Sequence, residues 1–429
     1  VFIVSHKIGF WSVFAIVTGS QIGSSVFMSP ISLAPYGFYG VIGYCISSFA
    51  AISLCFVFSH LCSKFPKTGG PHVYVKHILG NDLAFFTGWT YWIISWVSTT
   101  TVILAVVGYL TPFFGDHHDK SFYVFLEIAI LLCIVALNLK GLKFAGAAEF
   151  VLSIIKFIPL LLVPCFAFGH FNSENFIVHN EIATKPISEI LGKVTLLTLF
   201  GFIGLETATA PAESVKNPTK TIPKAIILGT LFVSFLYILN CLAIMGMVDG
   251  EKLAHAKAPY VDVAKILFGG NWHLVIAALS AIICIGTLNA WILTSGQIAL
   301  GLARDGFMPQ FFNKQNKNEA PQVAILISSI GIIPLLFLTA NENLATQATY
   351  LIDISVISFL FVYLICTISF LKDQITSGIN IYLSTIGLLA LAFCLWIIYE
   401  TKIETLGISS FFTLTGLPLY IFWYKRSKC

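Results

Sequence analysis

The chain is 429 residues long, 57% hydrophobic and only 10% charged, with a formal net charge of +4. A soluble chain carries about 25% charged residues, so the polar surface needed by a soluble enzyme, a disordered chain or a nucleic-acid binder is missing. Twelve membrane spans of about 20 residues would use about 240 residues, which matches the hydrophobic fraction, and membrane topology alone explains the small positive excess.

Taken in chain order, the apolar runs predict twelve transmembrane helices, at about 10–34, 38–62, 83–113, 121–139, 146–170, 190–212, 224–248, 272–302, 322–340, 345–371, 380–399 and 405–424. They are apolar on all sides, as helices that face lipid and one another should be. The chain enters the first run at once, and no small-residue cleavage site closes a short hydrophobic core, so no signal peptide is expected. Nine of the ten cysteines lie in or beside apolar runs and none forms a C-x-x-C pair, so they are expected to pack as small hydrophobes. Sixteen Lys and Arg fall in connections on the side of the N-terminus and seven on the other, with Lys156 inside a span. That bias, to which Lys425, Arg426 and Lys428 contribute, places both termini in the cytoplasm.

Two spans are interrupted. The first reads Thr18-Gly19-Ser20-Gln21-Ile22-Gly23-Ser24-Ser25-Val26-Phe27, and the sixth reads Leu199-Phe200-Gly201-Phe202-Ile203-Gly204-Leu205-Glu206-Thr207. Glycine costs about 1 kcal/mol in a helix interior, and backbone left unpaired in lipid costs several more. Small residues also allow close helix packing. Matching interruptions five spans apart, however, point to a transporter site built between two repeats. The N-terminus of a half-helix suits a carboxylate, and unwound carbonyls suit an ammonium group. A site with both is built for a zwitterion, and an amino acid is the natural candidate.

Ionisable groups inside spans are the next candidates. Glu206 follows the sixth-span break and is a candidate to take up and release a proton, or a structural acid hydrogen-bonded to a neighbouring helix. Asp353, at the start of the tenth span, is a candidate partner for the distal ammonium of a basic amino acid or diamine, or an interfacial acid facing water. Lys156 is a point charge with three donors, able to bond carbonyls of the first helix or to act as a snorkelling or packing lysine. Glu127 and Glu149 are expected to be structural. Trp89, Trp92, Trp96, Trp396 and Trp423 are expected to pack or to anchor the interface.

At this point the motifs resemble the amino acid–polyamine–organocation superfamily. Gly19 to Phe27 is similar to its first-helix motif, and Pro66-Lys67-Thr68-Gly69-Gly70-Pro71 to its first cytoplasmic loop. Phe202-Ile203-Gly204-Leu205-Glu206, then Lys216-Asn217-Pro218 and Ile222-Pro223, resemble its sixth helix and following loop. Asn289-Ala290-Trp291 and Ala303-Arg304-Asp305-Gly306 resemble its eighth helix and exit. The resemblance spans nearly the whole chain and is nearest the basic amino acid/polyamine antiporters. It implies an all-α polytopic membrane fold of twelve helices, a LeuT-type five-plus-five inverted repeat with helices one and six broken. One domain would fill 1–429, with repeats at about 8–171 and 190–372 and two extra helices at about 380–424.

Carried over residue by residue, the resemblance implies that Ser24 and Ser25, following Gly23, receive the substrate carboxylate. Carbonyls of Gln21, Phe200 and Ile203 would receive the α-amino group, and Trp291 would pack on the aliphatic side chain. Ile94, Ser95, Thr99, Val102 and Ser355 would line the side-chain pocket. Tyr91, Glu206 and Tyr363 would gate the path, Glu206 also sensing protons. Lys156 resembles the fifth-helix lysine that replaces sodium in some proton-coupled relatives. Where the arginine exchanger has a Trp this chain has Phe200, a weaker cation–π partner; where it has an Asn this chain has Thr99, with one hydroxyl. These two departures weaken the expectation of arginine recognition and leave a shorter ammonium or a neutral side chain open. The implied function is exchange of amino acids or polyamines across a bacterial inner membrane, with a proton-coupled, sodium-independent symporter as the alternative. The partners implied are substrate, lipid, protons and a second copy of the chain, with no cofactor or metal.

Other classes fit less well. An intramembrane enzyme needs a His base or a metal cluster in the membrane, yet the ten His fall in connections or at span ends, and H-E-x-x-H, P-loop and G-x-S-x-G motifs are missing. A channel needs a charged or carbonyl ring around a symmetric pore.

Overall fold

The protein is described here from a computed structural model, over residues 7–114, 119–254, 259–339 and 344–421. Lys257, Trp423, Lys425, Arg426 and Lys428 lie outside the described residues. These residues form α1 (Phe10–Gln21), α2 (Ser24–Leu33), α3 (Tyr39–Lys64), α4 (Pro71–Ile78), α5 (Asn81–Phe114) and α6 (Lys120–Asn138). Then follow α7 (Leu142–Ala167), α8 (Asn180–Ala183), α9 (Ile187–Leu199), α10 (Pro218–Met247), α11 (Gly250–Ala254) and α12 (Pro259–Phe268). The chain continues with α13 (Trp272–Arg304), α14 (Gln322–Thr339), α15 (Leu344–Ser377), α16 (Ile381–Glu400), α17 (Ile403–Leu414) and α18 (Leu417–Leu419).

Among the described residues, ten segments are long and apolar enough to cross a membrane. The runs expected at 10–34 and 405–424 are helical in pieces, as α1 with α2 and as α17 with α18. The outward faces of α6, α7 and α16 carry Phe125, Leu132, Ile154, Ile158, Leu162, Leu388 and Leu395, all exposed, as lipid-facing surface should be. The opposite face of α7 buries Glu149, Ser153, Lys156, Leu160 and Val163.

The broken helix α1 sits in the middle of the molecule, against α7, α10 and α13, while α5 packs on α13 and α15, and α3 on α9 and α10. The sixth span differs from expectation. Its first half is α9, but its second half is a chain of short 3₁₀ turns at Phe200–Phe202, Thr207–Thr209 and Ala212–Ser214. The sequence explains this: Gly201, Gly204 and Pro211 weaken an α-helix, and threonine hydroxyls take over the backbone bonding. Thr207 Oγ1 donates to Gly204 O at 2.8 Å and Thr209 Oγ1 to Glu206 O at 2.7 Å. The approach to α1 is tied to the exit of this span, because Ile8 N donates to Ser214 O at 2.9 Å and Lys216 N to Ile8 O at 3.0 Å.

Candidate functional site

The helix breaks at Ile22 and Gly23, whose φ/ψ of −78°/96° and −138°/−137° leave the α region. Four consecutive carbonyls at the end of α1 then need partners from elsewhere, since lipid offers none. Each finds a different donor group. Gly19 O accepts from Lys156 Nζ of α7 at 2.9 Å, and Ser20 O from Trp291 Nε1 of α13 at 3.3 Å. Gln21 O accepts from Tyr237 Oη of α10 at 2.7 Å, and Ile22 O from Thr287 Oγ1 of α13 at 2.6 Å. The break is thus pinned by three surrounding helices. Tyr237 Oη also lies 3.1 Å from Gly201 O, so one hydroxyl stands between the two interrupted spans.

The sixth-span break is held from the other side. Gly204 adopts φ +102°, a conformation open to glycine, and its carbonyl accepts from Ser20 Oγ at 2.9 Å. Below it, Tyr363 Oη donates to Glu206 Oε2 at 2.5 Å. Glu206 Oε1 and the Tyr91 hydroxyl are buried and unpartnered, and Tyr91 lies within electrostatic reach of Glu206. Phe359 links this group to the centre: its ring lies 5.7 Å from Tyr91, 6.3 Å from Tyr363 and 5.3 Å from Trp291.

Lys156 is fully buried and does not reach a helix end. Its ammonium has three donors and three partners: Gly19 O, Thr287 Oγ1 at 3.2 Å and Glu149 Oε1 at 3.3 Å. Glu149 Oε2 in turn accepts from Asn289 Nδ2 at 2.8 Å, and Asn289 Oδ1 accepts from Asn138 Nδ2 at 3.0 Å. Buried charge is tolerable when paired and hydrogen-bonded in this way.

Between the two breaks lies a cleft lined by Ser20, Gln21, Gly23, Ser24, Ser25, Ser98, Val102, Phe200, Ile203, Thr287 and Trp291. Its volume is about 20 Å³, enough for a single water, so an amino acid is admitted only if walls such as Phe200 or Trp291 move. Gln21 Oε1, Ser24 Oγ and Ser98 Oγ are buried here without partners. Of the residues picked out in the sequence, Gln21, Gly23, Ser24, Ser25, Val102, Phe200, Ile203 and Trp291 line this cleft. Ile94, Ser95, Thr99 and Ser355 are buried but lie off its lining. Asp353 is also off the lining, 3.8 Å from Lys193. Sequence reasoning missed Ser98, Tyr237 and Thr287. Thr287 is four residues before Trp291, one turn along the same helix face, and that spacing was the available signal.

The loop end of the bundle is closed by charge pairs. Asp305, beyond α13, accepts from Lys76 Nζ at 2.6 Å and faces His72 Nε2 at 3.1 Å. Asp373 of α15 meets Lys64 at 2.6 Å and His60 at 3.2 Å in the same pattern. The Pro66–Pro71 loop packs so tightly on α13 that a Cβ on Gly301 would come 2.4 Å from Gly69 Cα. Burial pushes the Asp305 carboxyl upward, but the hydrogen bonds and charges of His72 and Lys76 outweigh it and bring the group to about 2. Its folded value is below its unfolded one, so the stabilisation is present above pH ~4 and is lost as pH falls through ~2. Asp305→Asn should therefore lower stability by about 2 kcal/mol at neutral pH. Melting of the purified variant and parent at pH 7 and pH 3 checks this: the gap narrows at the lower pH, and an equal gap at both would refute it.

Comparison with known proteins agrees with this architecture. The profile of the amino acid permease family matches residues 8–423. A Bacillus subtilis (strain 168) protein provisionally named an arginine/ornithine antiporter is 30% identical over 465 aligned positions, covering 97% of each chain. The cadaverine/lysine antiporter of Escherichia coli (strain K12) is 28% identical over 323 positions, covering 75% of this chain and 72% of its own. The putrescine transporter PotE of Haemophilus influenzae is 27% identical over 323 positions, covering 75% and 74%. With the interrupted spans and the cleft between them, this places the chain in the amino acid permease family of the amino acid–polyamine–organocation superfamily, among its basic amino acid/polyamine antiporters.

Proposed function

We propose that the protein exchanges cationic amino acids and diamines across the bacterial inner membrane by alternating access, binding one substrate at a time in the cleft between the two breaks. The observation that carries this is the cleft itself. It brings a half-helix N-terminus at Ser24–Ser25, freed carbonyls at both breaks and three unpartnered polar atoms, Gln21 Oε1, Ser24 Oγ and Ser98 Oγ, into one buried place. The Ser24 hydroxyl and Ser25 N–H hold the carboxylate, where the dipole favours an anion. Carbonyls of Gln21, Phe200 and Ile203 hold the α-amino group; Gln21 O already accepts from Tyr237 but has a second lone pair.

Trp291 packs on the aliphatic part, with Phe200 in the same cleft lining. Ile94, Ser95, Thr99 and Ser355, buried off the lining, help to shape the pocket. Tyr91, Glu206 and Tyr363 form the gate beneath, and Glu206 takes up a proton when the Tyr363 bond opens. Asp353, 3.8 Å from Lys193, exchanges that lysine for an arriving ammonium. Lys156 holds the first break to α7 and α13, in the manner of a bound cation. Twelve spans result when α1 with α2 and α17 with α18 each cross once, with the repeats at 8–171 and 190–372. The Lys76–Asp305 end then faces the cytoplasm.

Uptake of labelled lysine, ornithine and putrescine into liposomes loaded with a panel of amino acids and diamines, with and without Na⁺ and a pH gradient, tests the proposal. Stimulation by internal cationic substrates without Na⁺ is expected. Uptake driven by Na⁺, or by a pH gradient into empty liposomes, would favour symport instead.

A further inference from the structure

Over Ser95–Thr101 the third transmembrane helix, α5, carries five hydroxyls, and four of them are spent on their own helix. Ser95 Oγ donates to Trp92 O at 2.6 Å and Thr99 Oγ1 to Ser95 O at 2.6 Å. Thr100 Oγ1 donates to Trp96 O at 2.9 Å and Thr101 Oγ1 to Val97 O at 3.2 Å. Ser98 is the exception. It is 3% exposed, its Oγ has no partner, and it lines the cleft one turn before Val102. Thr99, where the resemblance places the side-chain contact, is absent from the lining.

We infer that Ser98 meets the distal end of the bound substrate and sets its selectivity. This rests on the cleft being the amino acid site. A buried hydroxyl without a partner is costly, so a substrate that brings a polar end to it gains what a plain hydrocarbon end does not. One hydroxyl offers one proton and two lone pairs, which suits a single ammonium and cannot match the five-donor fork of a guanidinium. The Phe200 and Trp291 rings, also in the lining of the cleft, supply apolar walls and a cation-attracting π-face. Ser98 therefore selects lysine- and ornithine-type substrates over arginine, at a position adjacent to the expected one.

The test is competition binding to purified protein with lysine, arginine and norleucine, the last matching lysine in length without the ammonium. Ser98→Ala should weaken lysine about tenfold, or about 1.4 kcal/mol, and leave norleucine unchanged. Ser98→Thr, which keeps the hydroxyl, should retain the lysine preference, and Thr99→Val should leave the lysine-to-norleucine ratio in place. Equal weakening of lysine and norleucine in Ser98→Ala, or a ratio that moves only in Thr99→Val, overturns the assignment. Parent protein that binds none of the three overturns the amino acid site beneath it as well, so the two failures are distinguishable.

Discussion

Replacing Lys156 with Met abolishes exchange, and a second change at Glu149 restores the fold without restoring function. The ammonium is fully buried and its three protons go to Gly19 O, Thr287 Oγ1 and Glu149 Oε1. Removing it leaves a carboxylate uncompensated in the membrane interior, which costs about 3–5 kcal/mol. In Lys156→Met with Glu149→Gln the charge is gone, while the amide still accepts from Asn289. Most of the stability then returns, because neutral replacements for buried pairs are often tolerated. Gly19 O still lacks its donor from α7, so the link between the first break and that helix stays cut. Melting in detergent and exchange in liposomes separate the two effects. A double variant that regains both would reduce the pair to a structural prop.

The second large effect is at Gly204. Gly204→Ala should reduce exchange by one to two orders of magnitude while the protein still folds. The residue sits at φ +102°, and a Cβ there would come 2.9 Å from Ser20 Oγ and 3.2 Å from Trp291 Cζ2. The backbone strain alone is about 1–3 kcal/mol, enough to shift a conformational equilibrium about 5–150-fold. The atoms that must give way are functional ones, because Ser20 Oγ holds Gly204 O and Trp291 Nε1 holds Ser20 O. Gly108 is the control: it lies in α5 with nothing within 4 Å of its Cβ position. Gly108→Ala should exchange like the parent; a Gly204→Ala variant equally active would contradict the geometry given for the break.

Much of this was legible in the sequence, and for physical reasons. Apolar runs with no polar face describe helices in lipid, and matching Ile-Gly steps five spans apart, at Gly23 and Gly204, mark the two interruptions. The pairing of Glu149 with Lys156 was also within reach, since seven residues is two helical turns and both face inward. The unwound second half of the sixth span was not, because its 3₁₀ turns depend on Thr207 and Thr209 bonding their own backbone. The donors Tyr237, Thr287 and Trp291 were harder still. They reach the first break from more than 200 positions away, so no local pattern pairs them with it. Ser98 and Thr99 show the finer limit: both are buried hydroxyls on one helix, and only the three-dimensional structure reveals which is spent.

Efflux decides the central claim, that one cleft serves both sides of the membrane in turn. Liposomes containing the purified protein and labelled lysine are diluted into buffer with or without unlabelled lysine, ornithine or putrescine. The label should leave rapidly only when a substrate is present outside, and Lys156→Met and Gly204→Ala should suppress that release. Equally fast loss of label into substrate-free buffer would contradict exchange through this cleft.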